Sequence, residues 1–151
     1  MKLVCISDTH SLHWRMPDIP DGDVLIHAGD CLDQGTLENI EDLNNWLGTL
    51  PHRHKIVIAG NHDWAFQETP ELARQALTNA IYLEDSGVET EVVRFWGSPW
   101  TPTFMDWAFM LDRKVPFRVM LGQLKRTRIM ATDDEHATDS TSVFCGQSGP
   151  R

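Results

Sequence analysis

The sequence predicts an α/β fold on two observations. Short apolar, β-branched runs recur along its first 112 residues, and between them lie segments whose apolar residues repeat at helical spacing. Strand, helix, strand, repeated, is the pattern of a parallel sheet joined by right-handed crossovers. At 151 residues the chain has the length of one domain and can bury a core without disulfides or a structural metal.

Each element can be justified in chain order. LVCIS from Leu3 is the first strand, and DVLIHAG from Asp23 the second; both are continuous apolar runs of the kind buried on both faces. In TLENIEDLNNWLGTL, Leu37, Ile40, Leu43, Leu47 and Leu50 recur at three- and four-residue steps behind Thr36, so an amphipathic helix with Thr36 as N-cap is expected. KIVIAG from Lys55 is the third strand. PELARQALTNA, with Thr69 as cap and Pro70 at the first helical position, is the second helix, and AIYL and EVVRFWG are further strands. VPFRVMLGQLKRTRIM is strand or short helix, and the polar, turn-rich stretch beyond Ala131 is expected to be poorly ordered. No repeat at solenoid periods is visible.

Charge divides the chain. Residues 1–112 hold six basic and eighteen acidic side chains, net −12, whereas residues 113–151 hold seven basic and four acidic ones, net +3. The total of −9 argues against a partner held through an overall basic field, nucleic acid or anionic membrane alike. The first ten residues meet Asp8 and His10 before reaching signal-peptide length, and no run approaches a membrane span, so a cytoplasmic location is expected. Cys5, Cys31 and Cys145 form no C-x-x-C pair, as in a compartment that keeps thiols reduced, and receive no role.

The first three strands each run into metal-ligating residue types: Asp8-Thr9-His10, Gly29-Asp30 and Gly60-Asn61-His62-Asp63. Loops at the carboxyl ends of parallel strands converge on one crevice, so these clusters are expected to meet. Carboxylate, imidazole and amide oxygen together suit Mn, Fe, Zn or Mg. Two residues apart on an extended segment, Asp8 and His10 would leave from the same side. Gly29 and Gly60 allow sharp turns and close backbone approach. Asp30 has two oxygens with which it could bridge two cations.

In that order and spacing, these residues resemble the first three motifs of the calcineurin-like metallophosphoesterases. SDTHSLHW, HAGDCLDQG, GNHDWAF and GSPWTPTFMDWAFML further resemble the subgroup of metallophosphoesterase-domain-containing proteins, some of which hydrolyse cyclic nucleotides. The resemblance covers roughly residues 2–112. It implies a β-sheet sandwich flanked by helices, two divalent metal ions (manganese first), and hydrolysis of a phosphomonoester or phosphodiester by a metal-activated hydroxide. Asp8 and His10 would be ligands of one metal, Asp30 the bridging carboxylate and Asn61 a ligand of the second. His62 would be the general acid, oriented by Asp63.

The family pattern continues with a strand ending in histidine and then Gly-His-x-His, and this sequence has neither; its last histidine, His136, lies in DDEHATDS. The charge reversal, the last tryptophan and the loss of motifs coincide near residue 112. Two regions follow: 1–112 as the N-terminal part of a metallophosphoesterase domain and 113–151 as a divergent tail. The sandwich is expected to be incomplete, with apolar faces exposed and open to a homo-oligomer, and with one metal or none. The alternative to a working enzyme is an impaired homologue that binds a metal or nucleotide without efficient turnover.

Blander assignments apply to the remaining side chains. His27 reads as a satisfied core histidine, His13, His52 and His54 as solvated, Cys31 as a small buried side chain, and Glu38, Glu41 and Asp42 as a solvated helix face. Trp96, Trp100 and Trp107, with Phe104 and Phe109, read as core first and as a base-stacking pocket second.

Overall fold

The computed structural model describes residues 1–91, 93–103, 105–112 and, as backbone, 144–145. The expectations for residues 113–151, among them a replacement ligand at His136, otherwise lie outside the described residues.

Four strands, β1 (Leu3–Ile6), β2 (Val24–His27), β3 (His54–Ile58) and β4 (Ile81–Leu83), pair in parallel in that order. The register sets Val24 beside Leu3 and His54, and Ile81 beside Ile56. Successive side chains point to opposite faces, so the apolar runs supply two interfaces from one sheet. Val4, Leu25 and Val57 meet the helical layer, and Val24, Ile26, Ile56, Ile58 and Leu83 meet a second sheet.

The helical layer follows the expected pattern. α1 (Leu37–Thr49) buries Ile40, Leu43, Trp46 and Leu47. Thr36 caps it, its N–H donating to Asn39 Oδ1 at 2.8 Å. After a short α2 (Trp64–Glu68), which shows no sustained period and was not foreseen, α3 (Pro70–Ala76) begins at the predicted proline. Fully burying each leucine of this face contributes roughly 1.5–3 kcal/mol.

The opposite face is covered rather than bare. β5 (Ser86–Glu89) and β6 (Arg94–Gly97) form an antiparallel hairpin whose Val93 and Phe95 pack on Ile26, Ile56 and Ile58. Its first strand has only one apolar residue, Val88, and so escaped sequence reading; the bond from Thr90 N–H to the Val93 carbonyl closes a turn that overlaps the start of the predicted EVVRFWG run. β7 (Thr101–Pro102) pairs with β8 (Met110–Leu111), and β9 (Phe144–Cys145) pairs with β6. The result is a mixed α/β fold, helices on one side of a parallel sheet and a hairpin sheet on the other.

Three histidines depart from expectation because each finds a partner. His13 is buried against α1 with Nε2 3.0 Å from Asp42 Oδ2, and His52 is buried with Nε2 3.0 Å from the Pro20 carbonyl. His54 meets Glu91 at 3.0 Å. Asp42 also accepts the Trp14 indole N–H at 2.9 Å, so it pins the turn after β1 to α1 as well as facing solvent. His27 is a core histidine as expected but only half satisfied: it is fully buried with Nε2 2.9 Å from Thr9 Oγ1, while its buried Nδ1 has no hydrogen-bond partner.

Burial pushes the His27 imidazole down to about 4. Between pH 6.5 and 4 the unfolded chain therefore holds a proton that the folded chain refuses, so this contribution is complete above pH 6.5 and is lost as pH falls. The stability advantage of wild type over His27→Gln, read from urea midpoints, is expected to shrink by about 2 kcal/mol from pH 7 to pH 5. An advantage constant over that window would remove the assignment.

Candidate metal centre

Because β1, β2 and β3 are parallel, the loops that follow them leave from one edge of the sheet. They stay joined there. Asp8 N donates to Gly29 O at 3.0 Å, His10 N to Asp30 O at 3.0 Å and Ser11 N to Cys31 O at 2.9 Å, which carries the β1–β2 pairing into the loops. The backbone itself is no longer extended: Asp8, His10, Ser11 and Asp30 have φ of 57°, 43°, 58° and 50°. Each such residue costs on the order of 1 kcal/mol, tolerated where surrounding bonds over-determine the conformation. The extended segment assumed for Asp8 and His10 is therefore replaced by left-handed backbone at both residues.

The second and third loops touch at their glycines. Gly29 adopts φ 112°, and a Cβ on it would lie 3.1 Å from Gly60 Cα. A Cβ on Gly60 would collide with Asp30 Oδ1 and stand 2.5 Å from Asp30 N. The missing side chain is therefore the space that Asp30 occupies. Asp63 closes the junction: its buried carboxylate accepts the N–H groups of Gly60 (2.6 Å), Leu32 (2.7 Å) and Cys31 (3.3 Å). Burial pushes Asp63 up to about 6 against the pull of the Gly60 and Leu32 N–H groups, and burial also pushes the Cys31 thiol up. Asp63 thus ties the loops together, both of its oxygens accepting backbone N–H groups.

Asp30 is 4% exposed and uses both oxygens. Oδ1 accepts the His62 N–H at 2.9 Å, and Oδ2 lies 4.0 Å from His10 Nε2. The His10 and His62 rings meet edge to face at 4.7 Å. Ligand atoms of His10, Asp30 and His62 all fall within 4.8 Å of one another. Two donors on one ion are at most ~4.2 Å apart at ordinary bond lengths, so modest side-chain rotation lets the three share a cation. Two imidazoles and a carboxylate are a borderline donor set of the predicted kind.

The predicted residues divide. His10, Asp30 and His62 converge; Asp8 is exposed on the first loop and is not one of the trio. Asn61 is buried between Gly60 and His62, its carbonyl accepting Ala108 N–H at 3.0 Å. Asp33 was missed: its Oδ1 stands 3.9 Å from His62 Nδ1 and its N–H donates to Ser11 Oγ at 3.2 Å. The signal was a carboxylate three residues beyond Asp30 in a turn. Of the tryptophans, Trp107 reaches the site, its ring 5.5 Å from His62. Trp100 instead packs on buried Phe109 and donates to Asp85, and Trp96 sits on the hairpin with Arg94 and Glu89.

Residues 1–122 match the family model described as calcineurin-like phosphoesterase. The chain belongs to the calcineurin-like phosphoesterase family. The match continues past residue 112, where the sequence suggested a boundary. The chain is 41% identical over 135 residues to human metallophosphoesterase domain-containing protein 1, covering 74% of the chain and 41% of that protein. It is also 41% identical over 116 residues to a UPF0046 protein of Caenorhabditis elegans, covering 66% of the chain and 41% of that protein. The chain thus spans about two fifths of the length of these curated relatives.

Gly60→Ala is expected to lower stability by roughly 1–3 kcal/mol through overpacking and to weaken manganese binding at least tenfold by displacing Asp30. Thermal melts and titration calorimetry measure the two effects. Unchanged manganese affinity would show that Asp30 does not need the space left by Gly60.

Proposed function

We propose that this chain is a metal-dependent hydrolase of a phosphomonoester or phosphodiester, cyclic nucleotides included. The observation that carries the reading is the convergence of His10, Asp30 and His62 at the strand ends of a family member. In this reading Asp8, His10, Asp30 and Asn61 hold divalent cations, manganese first and Fe, Zn or Mg otherwise. A bound divalent cation supplies Lewis acidity and positive charge that an anionic substrate requires. His62, 30% exposed and tethered through its N–H to Asp30, faces solvent and can donate a proton to the leaving oxygen. The exposed Asp33 carboxylate lies on the Nδ1 side of that ring, at 3.9 Å.

One observation favours the second reading, a homologue with one cation and little turnover. Every other histidine among the described residues is engaged elsewhere: His13 with Asp42, His27 with Thr9, His52 with Pro20 and His54 with Glu91. Among the described residues no further imidazole completes a second site. The proposed partners are a small phosphate ester or nucleotide, with a homo-oligomer left open, and the proposed compartment is the cytoplasm. Free Cys5 and Cys31 support that compartment, and no helix among the described residues is long and apolar enough to cross a membrane.

Manganese-loaded chain is expected to hydrolyse a generic aryl phosphodiester, with kcat/KM falling about 100-fold or more in Asp30→Asn or His62→Ala. Elemental analysis separates the two readings: near two metals per chain favours the hydrolase, near one or none the impaired homologue. Turnover that survives both substitutions would defeat the assignment.

A further inference from the structure

The His62 ring is set by its neighbours more than by hydrogen bonds of its own. Its backbone N–H is committed to Asp30, while the nearest polar group to Nδ1, the exposed Asp33 carboxylate, stands 3.9 Å away. A ring 30% exposed with no short side-chain hydrogen bond would sample several rotamers. Two aromatic faces oppose that. His10 meets it edge-on at 4.7 Å and 88°, and Trp107 leans on it at 5.5 Å and 41°.

Trp107 is well placed to act as a wall because the chain beside it is anchored to the loop that carries His62. Ala108 N donates at 3.0 Å to the carbonyl of Asn61, the residue preceding His62. Phe109 N donates to Gln67 Oε1 on α2, and Ala108 and Phe109 are both buried. The separation of indole and imidazole is therefore fixed through backbone bonds, while the half-buried indole is itself stiff, with only two side-chain torsions. We propose that Trp107 is a positioning residue, which together with His10 holds the His62 imidazole in one orientation toward the phosphate site. The inference rests on the catalytic role proposed above for His62, but the orientation itself can be read without turnover.

The full chain labelled with 15N-histidine provides that reading. The His62 imidazole resonances are those that vanish in His62→Ala. In Trp107→Ala they are expected to shift and broaden, and in manganese-loaded protein kcat for an aryl phosphodiester is expected to fall about tenfold. KM and manganese affinity stay within twofold, and Trp107→Phe restores most of the kcat. If Trp107→Ala does not fold, as judged by its thermal melt, Trp107→Leu keeps the apolar bulk and carries the same comparison. Unmoved imidazole resonances would overturn the proposal, as would a raised KM with kcat intact, which would make the indole a substrate contact instead. Absence of turnover in wild type defeats the hydrolase reading, and the imidazole resonances then decide the positioning role alone.

Discussion

One buried carboxylate holds the candidate site together. Asp63 has no exposed surface, and its two oxygens accept three backbone N–H groups, two from the loop after β2 and one from the loop after β3. Hydrogen bonds to a carboxylate in so dry a place are stronger than their surface counterparts, and leaving any of them unmade would be correspondingly unfavourable. Asp30 and His62 lie on the two loops so joined, and the bond between them depends on the junction. The Gly29 to Gly60 contact belongs to the same constraint, since it lets the loops approach closely enough for one side chain to span them.

The sheet supplies the platform because it is apolar on both faces. Helices α1 and α3 cover one face through Leu43, Leu47 and Ala73, and the β5–β6 hairpin covers the other through Val93 and Phe95. Strands so enclosed are firmly registered, because a slip of one residue would exchange Ile26 for His27 and send each to the wrong layer. Firm strands give their carboxyl ends fixed positions. The strained φ values at Asp8, His10 and Asp30 persist on that account, each being locked by a bond to the neighbouring loop.

The histidines illustrate how context divides one residue type among different tasks. His27 is enclosed in the sheet, where desolvation keeps it neutral, and His13 anchors the turn after β1 to α1 through Asp42. His10 and His62 remain partly open at the strand ends with their rings against one another. Nothing in residue identity distinguishes these four; burial and the nearest carboxylate do.

Sequence reading by itself determined the elements whose chemistry is local: the apolar runs of β1 to β4, the Thr36 cap and period of α1, Pro70 at the start of α3, and the three motifs at the strand ends. It could do so because side-chain alternation, capping and glycine conformations are properties of a few adjacent residues. Tertiary structure alone decided the rest. The weakly apolar β5 is a strand because Phe95 and Val88 find the far face of the sheet, and Asp63 commits both oxygens to loop backbone because the Cys31 and Leu32 N–H groups, remote in the chain, join that of Gly60 within its reach. The backbone at Asp8 and His10 is left-handed instead of extended, and bonds to Gly29 and Asp30 hold it there. These outcomes are set by atoms remote in the chain, whose separations no local pattern encodes.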